Sequence, residues 1–384
     1  MKNQKKVSIF IRVNGALLSV ILVFLIVGSM TTIFSFTMSS DYVGMALEKS
    51  DLSKLYMYFF GFENRYFIQN NMEVENIPLT KIGFQLATNI KINDMRTFFE
   101  RELPGFSEFN TKIQVAGVGT DITSLPIESA PPMETLLTER QVSKDALNGH
   151  NSNNNQPTPK PAETTNGKKV VYIYHSHSWE SYLPLLQQVQ SPNDATSSNN
   201  TVNIVGVGDQ LAMDLESKGI GTEHSTVNAA EKLHARGWNA NNAYQYSRGI
   251  VQEAMASNHD LKFFFDIHRD SSRRDKTTVS INNKSYARLD FIVGEGNPNF
   301  KQNLELAKEL HAAVEKKYPG LSRGVFSKDQ SMGNGVYNQD LSPRDILIEV
   351  GGVDNNLEEL DNAVEAFANV FSEYFWKMKN AGQF

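Results

Sequence analysis

Val170-Val171-Tyr172-Ile173-Tyr174-His175-Ser176-His177-Ser178-Trp179-Glu180-Ser181-Tyr182 is the stretch whose reading decides the fold. It opens on β-branched and aromatic residues, which predict a buried strand, and that strand empties into two histidines and a glutamate. Open α/β sheets bind ligands outside the carboxyl ends of their parallel strands, so metal-ligating side chains at this point are placed for chemistry. His177 and Glu180 are three residues apart, and a turn or helix there lets imidazole and carboxylate converge on one ion of the zinc type. His175 shares the strand parity of His177, so both point the same way along an extended chain. The residues by themselves leave open which of the two is the ligand and which stands behind it.

Two further strands deliver matching chemistry. Lys262-Phe263-Phe264-Phe265-Asp266-Ile267-His268-Arg269-Asp270 is apolar until it ends in a histidine and charge. With His177 and Glu180, His268 completes a set of two imidazoles and one carboxylate, which leaves zinc (Zn2+) an open position for water, as catalytic zinc sites do. Asp345-Ile346-Leu347-Ile348-Glu349-Val350-Gly351-Gly352 embeds a glutamate in an apolar run. An unpaired buried carboxylate is costly, so Glu349 is expected to face a cation or a cleft. Beside an activated water it is the natural general base, moving the proton to the leaving amine.

Outward from these strands, helical and extended patterns alternate. Helices are expected at 206–218, 240–256, 300–318 and 356–378, with strands at 223–227, 279–281, 287–293 and 324–326. The expected fold class is α/β, a mostly parallel twisted sheet with helices on both faces, over residues 169–384. Gly206-Val207-Gly208 lacks the remaining glycines of a phosphate loop. No G-x-S-x-G elbow supports a serine nucleophile. Arg269 and Asp270 are candidates to line the substrate cleft, with solvated ion pairing as the plainer reading for them and for Arg273-Arg274. His224 and His234 are candidates to lie near the site in space.

The chain has 384 residues, a net charge of −6 and no cysteine. The acidity argues against a nucleic-acid partner, and without thiolates any metal site must draw on His, Asp and Glu. Residues 1–14 carry Lys2, Lys5, Lys6 and Arg12, and residues 15–36 are apolar over about the ~20 residues that span a bilayer. That run is longer than a signal-peptide core and no A-x-A-like site follows it, so a single transmembrane anchor is expected. Its basic flank is then cytoplasmic and the rest of the chain extracytoplasmic. Residues 41–139 read as a helical juxtamembrane region, and residues 140–168, rich in asparagine and proline, read as a flexible linker.

Taken together, the N-terminal anchor, the Asn/Pro linker and the motifs Tyr-His-Ser-His-Ser-Trp-Glu-Ser-Tyr-Leu-Pro, Asp-Ile-His-Arg-Asp, Val-Gly-Glu-Gly-Asn-Pro and Ile-Leu-Ile-Glu-Val-Gly-Gly resemble the stage II sporulation protein P family of endospore-forming bacteria. The first and last strands are similar, more distantly, to the zinc N-acetylmuramoyl-L-alanine amidases, a likeness that places His177 rather than His175 at the ligand position. His177-Ser178-Trp179-Glu180 has the H-x-x-E form of zinc carboxypeptidases, whereas the amidases place their glutamate ligand farther on. The resemblance implies a membrane-bound peptidoglycan hydrolase with His177, Glu180 and His268 on zinc and Glu349 as base. Such an enzyme cuts the muramoyl-L-alanine amide and stem-peptide cross-links at the sporulation septum and engulfing membrane. Its partners would be stage II sporulation proteins D and M. A wall-binding scaffold without turnover and a zinc carboxypeptidase that trims stem peptides are the competing readings.

Overall fold

The computed structural model describes residues 111–128, 131–144, 161–330 and 333–384. All of them belong to one compact unit, Ile90–Phe384. The basic tail, the apolar segment 15–36, most of the expected juxtamembrane helices and most of the linker lie outside the described residues. Among those described, no helix is long and apolar enough to cross a membrane.

Seven strands form the main sheet: β1 (Lys112–Ala116), β2 (Lys169–Tyr174), β3 (Gly221–His224), β4 (Phe263–Asp270), β7 (Leu289–Gly294), β8 (Ser322–Lys328) and β9 (Asp345–Gly352). β5 (Thr278–Ile281) and β6 (Lys284–Ala287) make a separate hairpin. The sheet order is β1-β8-β7-β9-β4-β2-β3. β3, β2, β4 and β9 run parallel, so their carboxyl ends share one edge.

The sheet is mixed rather than uniformly parallel, because β7 opposes β9 and β1 opposes β8. The cause is the connection after β4. A parallel return needs a long crossover, but the chain here makes only the short helix Arg274–Thr277 and the β5–β6 hairpin before β7. It therefore starts β7 at the edge where β4 ended. Asn282 and Asn283, at φ 51° and 64°, form the two-residue hairpin turn. That turn is why the expected strand at 287–293 is preceded by one more, Lys284–Ala287.

Helices cover both faces. Numbered in chain order, they are α1 (Met133–Leu137), α2 (Ile204–Ser217), α3 (Ala229–Ala235), α4 (Ala243–Ser257), α5 (Arg274–Thr277), α6 (Phe300–Lys317) and α7 (Leu357–Asn380). α2, α6 and α7 pack on the face that carries Val171, Ile173, Phe263, Phe265, Phe291 and Ile348. α7 contributes Phe371, whose ring meets Phe263 at 5.1 Å and Phe265 at 5.0 Å. α4 covers the other face, where Val251 and Ala254 pack on Tyr172, Tyr174 and Phe264. Successive side chains of β2 and β4 point to opposite faces, and because both faces are covered the strands are buried almost throughout.

The folded unit does not begin at 169. β1 pairs with β8 at the sheet edge, Val142 bridges to Leu186, and Thr165 accepts a 3.0 Å bond from the Gly221 amide. The described part of the expected helical region 41–139 is thus a strand, a 3-10 turn at Ile122–Ser124 and the five-residue α1. Five residues of β1 are too short for alternation to separate a strand from a helix turn.

Asp214, on α2, has one carboxylate oxygen bonded to Gln210 at 3.0 Å and the other buried without a partner. Burial lifts its pKa from 3.8 to about 6, aided by Glu365. The folded state therefore holds this proton more tightly than the unfolded chain, and the stability it contributes is present below about pH 4 and lost as pH rises toward 6. Asp214→Asn is expected to stabilise the protein at neutral pH by about 1 kcal/mol after allowance for solvent screening, a rise of about 2–4 °C in melting temperature. No gain is expected near pH 4; calorimetry at both pH values checks it.

Candidate metal centre

Sheet parity brings the candidate residues to the α4 side. On β4, Phe263, Phe265 and Ile267 face α2 and α7, so Phe264, Asp266 and His268 face the opposite way. On β9, Ile346, Ile348 and Val350 enter the first core and leave Glu349 on the same side as His268. His268 and Glu349 are register partners on adjacent strands.

β2 ends at Tyr174, and the two histidines after it part company. His175 keeps the direction of Ile173. Its Nδ1 lies 2.9 Å from the Ile267 carbonyl and its Nε2 2.8 Å from His224 Nε2, while His224 Nδ1 reaches Asp209 at 2.8 Å. Gly208, on α2, makes room for this pair, since a Cβ there would stand 2.6 Å from both Nε2 atoms. The Gly206-Val207-Gly208 run is therefore helix packing. His177, beyond a turn, crosses to the α4 side. The shared strand parity fails because the strand stops before either residue. The turn is fixed by Asp266, which accepts from the Ser176 amide at 2.8 Å and from its hydroxyl at 2.6 Å. The Glu180 amide then bonds to the His177 carbonyl at 3.1 Å, bringing residues three apart together.

His177, Glu180 and His268 meet there, all buried, with one donor atom from each within 4.8 Å of the others. His177 Nδ1 is 3.3 Å from Glu180 Oε1, and His268 Nδ1 is 3.5 Å from Glu180 Oε2. Donors at 2.0–2.1 Å from a tetrahedral ion stand about 3.3–3.4 Å apart, close to these two contacts, and two imidazoles with one carboxylate are donor types that suit zinc. His175 is turned away from this group. His234 is exposed on α3.

Burial would push the Glu180 carboxyl up, but the imidazoles of His268 and His177 outweigh it and hold it well below the usual carboxylate range. Burial disfavours charge on His268, yet Asp266 and Glu180 overcome it and raise the ring well above its ordinary value. Glu349 is raised well above the carboxylate range by burial and by the charge of Glu180. Its Oε2 is buried with no protein partner. The rings of Trp179 (4.9 Å) and Tyr244 (5.2 Å) pack against His177 and fix its plane.

Arg269 and Asp270 are both buried rather than solvated. The Arg269 guanidinium bonds to the Asp270 and Ala195 carbonyls, while its amide gives Glu180 Oε2 a 2.8 Å bond. Asp270 pairs with Arg323, which also holds Asp290 at 2.6 Å and the Ser124 carbonyl. At the end of a strand these charges look solvated in the sequence, but the 121–128 segment covers them. Arg323→Met is expected to cost about 3–5 kcal/mol by leaving two buried carboxylates uncompensated. Urea unfolding checks this. Arg273 and Arg274 form ion pairs with Asp354 and Glu359.

Two participants were not singled out in the sequence. Asp266 lies 3.0 Å from His268 Nε2, a contact of opposite charges rather than an aligned hydrogen bond. Its signal was available, since a residue two before His268 on a strand shares its face. Glu128 lies 3.8 Å from His177 Nε2, and nothing in the sequence links it to strands beyond the linker.

Among solved structures, an N-acetylmuramoyl-L-alanine amidase from Clostridium difficile 630 is 15% identical with a TM-score of 0.33, covering 54% of this chain and 97% of that one. A metallo-carboxypeptidase from Burkholderia cenocepacia is 13% identical with a TM-score of 0.34, covering 57% and 59%. A Stage II sporulation protein P from Bacillus subtilis (strain 168) is 42% identical over 391 residues, 98% of this chain and 96% of the relative. Residues 93–372 match the family described as Stage II sporulation protein P, and the chain belongs to that family.

Proposed function

We propose that this chain is a membrane-anchored, zinc-dependent peptidoglycan hydrolase that cleaves the muramoyl-L-alanine amide and stem-peptide cross-links during engulfment. The observation that carries the reading is the convergence of His177, Glu180 and His268 on one side of the sheet, with Glu349, whose Oε2 is buried without a partner, on the strand beside His268. Family membership supports the sporulation role, and the substrate follows from the resemblance of the motifs. The apolar segment 15–36 would hold the domain beside its wall substrate on the extracytoplasmic side, where it would work with stage II sporulation proteins D and M.

Zinc held by His177, Glu180 and His268 would polarise the scissile carbonyl and bring the pKa of water to about 7. Glu349 takes the proton of the attacking water and delivers it to the leaving amine nitrogen. Burial and the neighbouring Glu180 raise its pKa, the direction that makes a carboxylate a stronger base. Asp266 holds the His177 turn through Ser176 and sits behind His268, so one carboxylate orders two of the donors. Trp179 and Tyr244 pack against the ring of His177 and help bury it.

The test is mass spectrometry of purified peptidoglycan digested by the full chain in detergent, with and without a strong zinc chelator. Free stem peptides and bare glycans, formed only without chelator, are expected, together with loss of cross-linked species. Release of terminal amino acids alone would replace the amidase reading with a carboxypeptidase. Intact peptidoglycan from folded, zinc-loaded protein would overturn hydrolysis in favour of a scaffold.

A further inference from the structure

The candidate centre has a neighbour from outside the strands that build it. Residues 121–128 are tied to the exit of β4: the Ile127 amide gives Asp270 Oδ1 a 2.9 Å bond, and the Ile127 carbonyl accepts from the Ser271 amide at 3.0 Å. Arg323 and Lys276 bind the Ser124 and Thr123 carbonyls of the same segment. At its end stands Glu128, whose Oε1 accepts a 3.0 Å bond from the Tyr244 hydroxyl and lies 3.8 Å from His177 Nε2. On its other side is Gly333. A Cβ there would sit 3.0 Å from Glu128 Oε2 and 2.9 Å from the Tyr337 hydroxyl, so glycine leaves space for the carboxylate.

The two imidazoles are arranged alike. Each turns Nδ1 toward Glu180, at 3.3 Å for His177 and 3.5 Å for His268, and each turns Nε2 toward another carboxylate, Glu128 and Asp266 respectively. Metal-bound histidines give their second ring N–H to such a group, which fixes tautomer and ring orientation. The Glu128 contact is longer than a hydrogen bond. Both His177 Nε2 and the Tyr244 hydroxyl are directed at the same oxygen, Glu128 Oε1.

We propose that Glu128 is a positioning residue of the metal centre, backing the Nε2 edge of His177 as Asp266 backs His268. Both Nδ1 atoms then face the ion. The proposal rests on the zinc reading of the site. It also gives the segment ahead of the linker a part in the centre, beyond its strand in the sheet.

The test is the zinc dissociation constant of the full chain, measured by competition with a chromophoric chelator. Glu128→Ala and the near-isosteric Glu128→Gln are expected to raise it about 10–100-fold. Glu128→Asp should recover part of the loss. Tyr244→Phe should shift it the same way by less, and the melting temperature of the metal-free protein should stay the same in the Gln variant. A constant within twofold of wild type in Glu128→Ala would overturn the proposal. So would faster hydrolysis at unchanged affinity, which would make Glu128 a carboxylate that shields the ion. If wild-type protein itself fails to bind zinc, the hydrolase reading falls as well, and the two failures are told apart by the wild-type titration.

Discussion

Glu349→Gln is expected to lower peptidoglycan hydrolysis by about 10²–10⁴-fold, the usual contribution of a positioned acid–base group, while zinc stays bound at wild-type stoichiometry. The amide keeps the size of the side chain and removes its ability to take a proton. It does not touch the His177, Glu180 and His268 donors. Glu349 also has a buried oxygen without a partner and a pKa lifted by burial and by Glu180. A neutral side chain at this position therefore relieves a cost in the folded state, and the melting temperature of the metal-free protein should not fall. Chromatographic assay of released peptides, with metal analysis on the same sample, checks both halves. Residual activity above about one tenth of wild type would remove Glu349 from the role of base.

His268→Gln should act on the other half of the site. Losing one of three donors is expected to reduce bound zinc to well under one per chain after dialysis, with hydrolysis falling to background. The substitution also withdraws a counter-charge from two buried carboxylates, Asp266 at 3.0 Å and Glu180 at 3.5 Å. Breaking such a buried pair costs about 3–5 kcal/mol, so this variant should also be less stable in the metal-free state. The contrast with Glu349→Gln is the useful result, since one change separates turnover from metal binding and the other removes both. A His268→Gln protein that retains stoichiometric zinc at wild-type affinity would sink the assignment of His268 as a ligand.

Much of the arrangement was legible in the sequence because parallel strands announce themselves as continuous apolar runs. β2, β4 and β9 are almost entirely buried; His177 and Glu180 stand just past the end of β2, and His268 and Glu349 lie in the carboxyl-terminal halves of β4 and β9. What failed was reasoning that carried a period beyond the element that owns it. His175 and His177 share a parity only while the chain is extended, and the turn held by Asp266 sends them to opposite faces. Arg269 and Asp270 follow a strand and carry charge, which points to a cleft or to solvated ion pairs, yet both are buried. Their burial depends on Arg323 and on residues 121–128, partners distant in sequence that no local pattern foretells. The reversal of β7 is similar, since the expectation of a mostly parallel sheet gives way where a short hairpin follows β4. Glu128 is the extreme case, a single carboxylate separated from the other site residues by the Asn/Pro-rich linker.

The central claim is that His177, Glu180 and His268 jointly hold one zinc ion. Anomalous X-ray scattering at the zinc edge from crystals of the zinc-loaded protein tests it most directly. The account predicts one peak, about 2.0–2.2 Å from both Nδ1 atoms and a Glu180 oxygen, with Glu349 beside it. A peak on His175 and His224 instead, or zinc-loaded crystals with no peak at His177, Glu180 and His268, would contradict it.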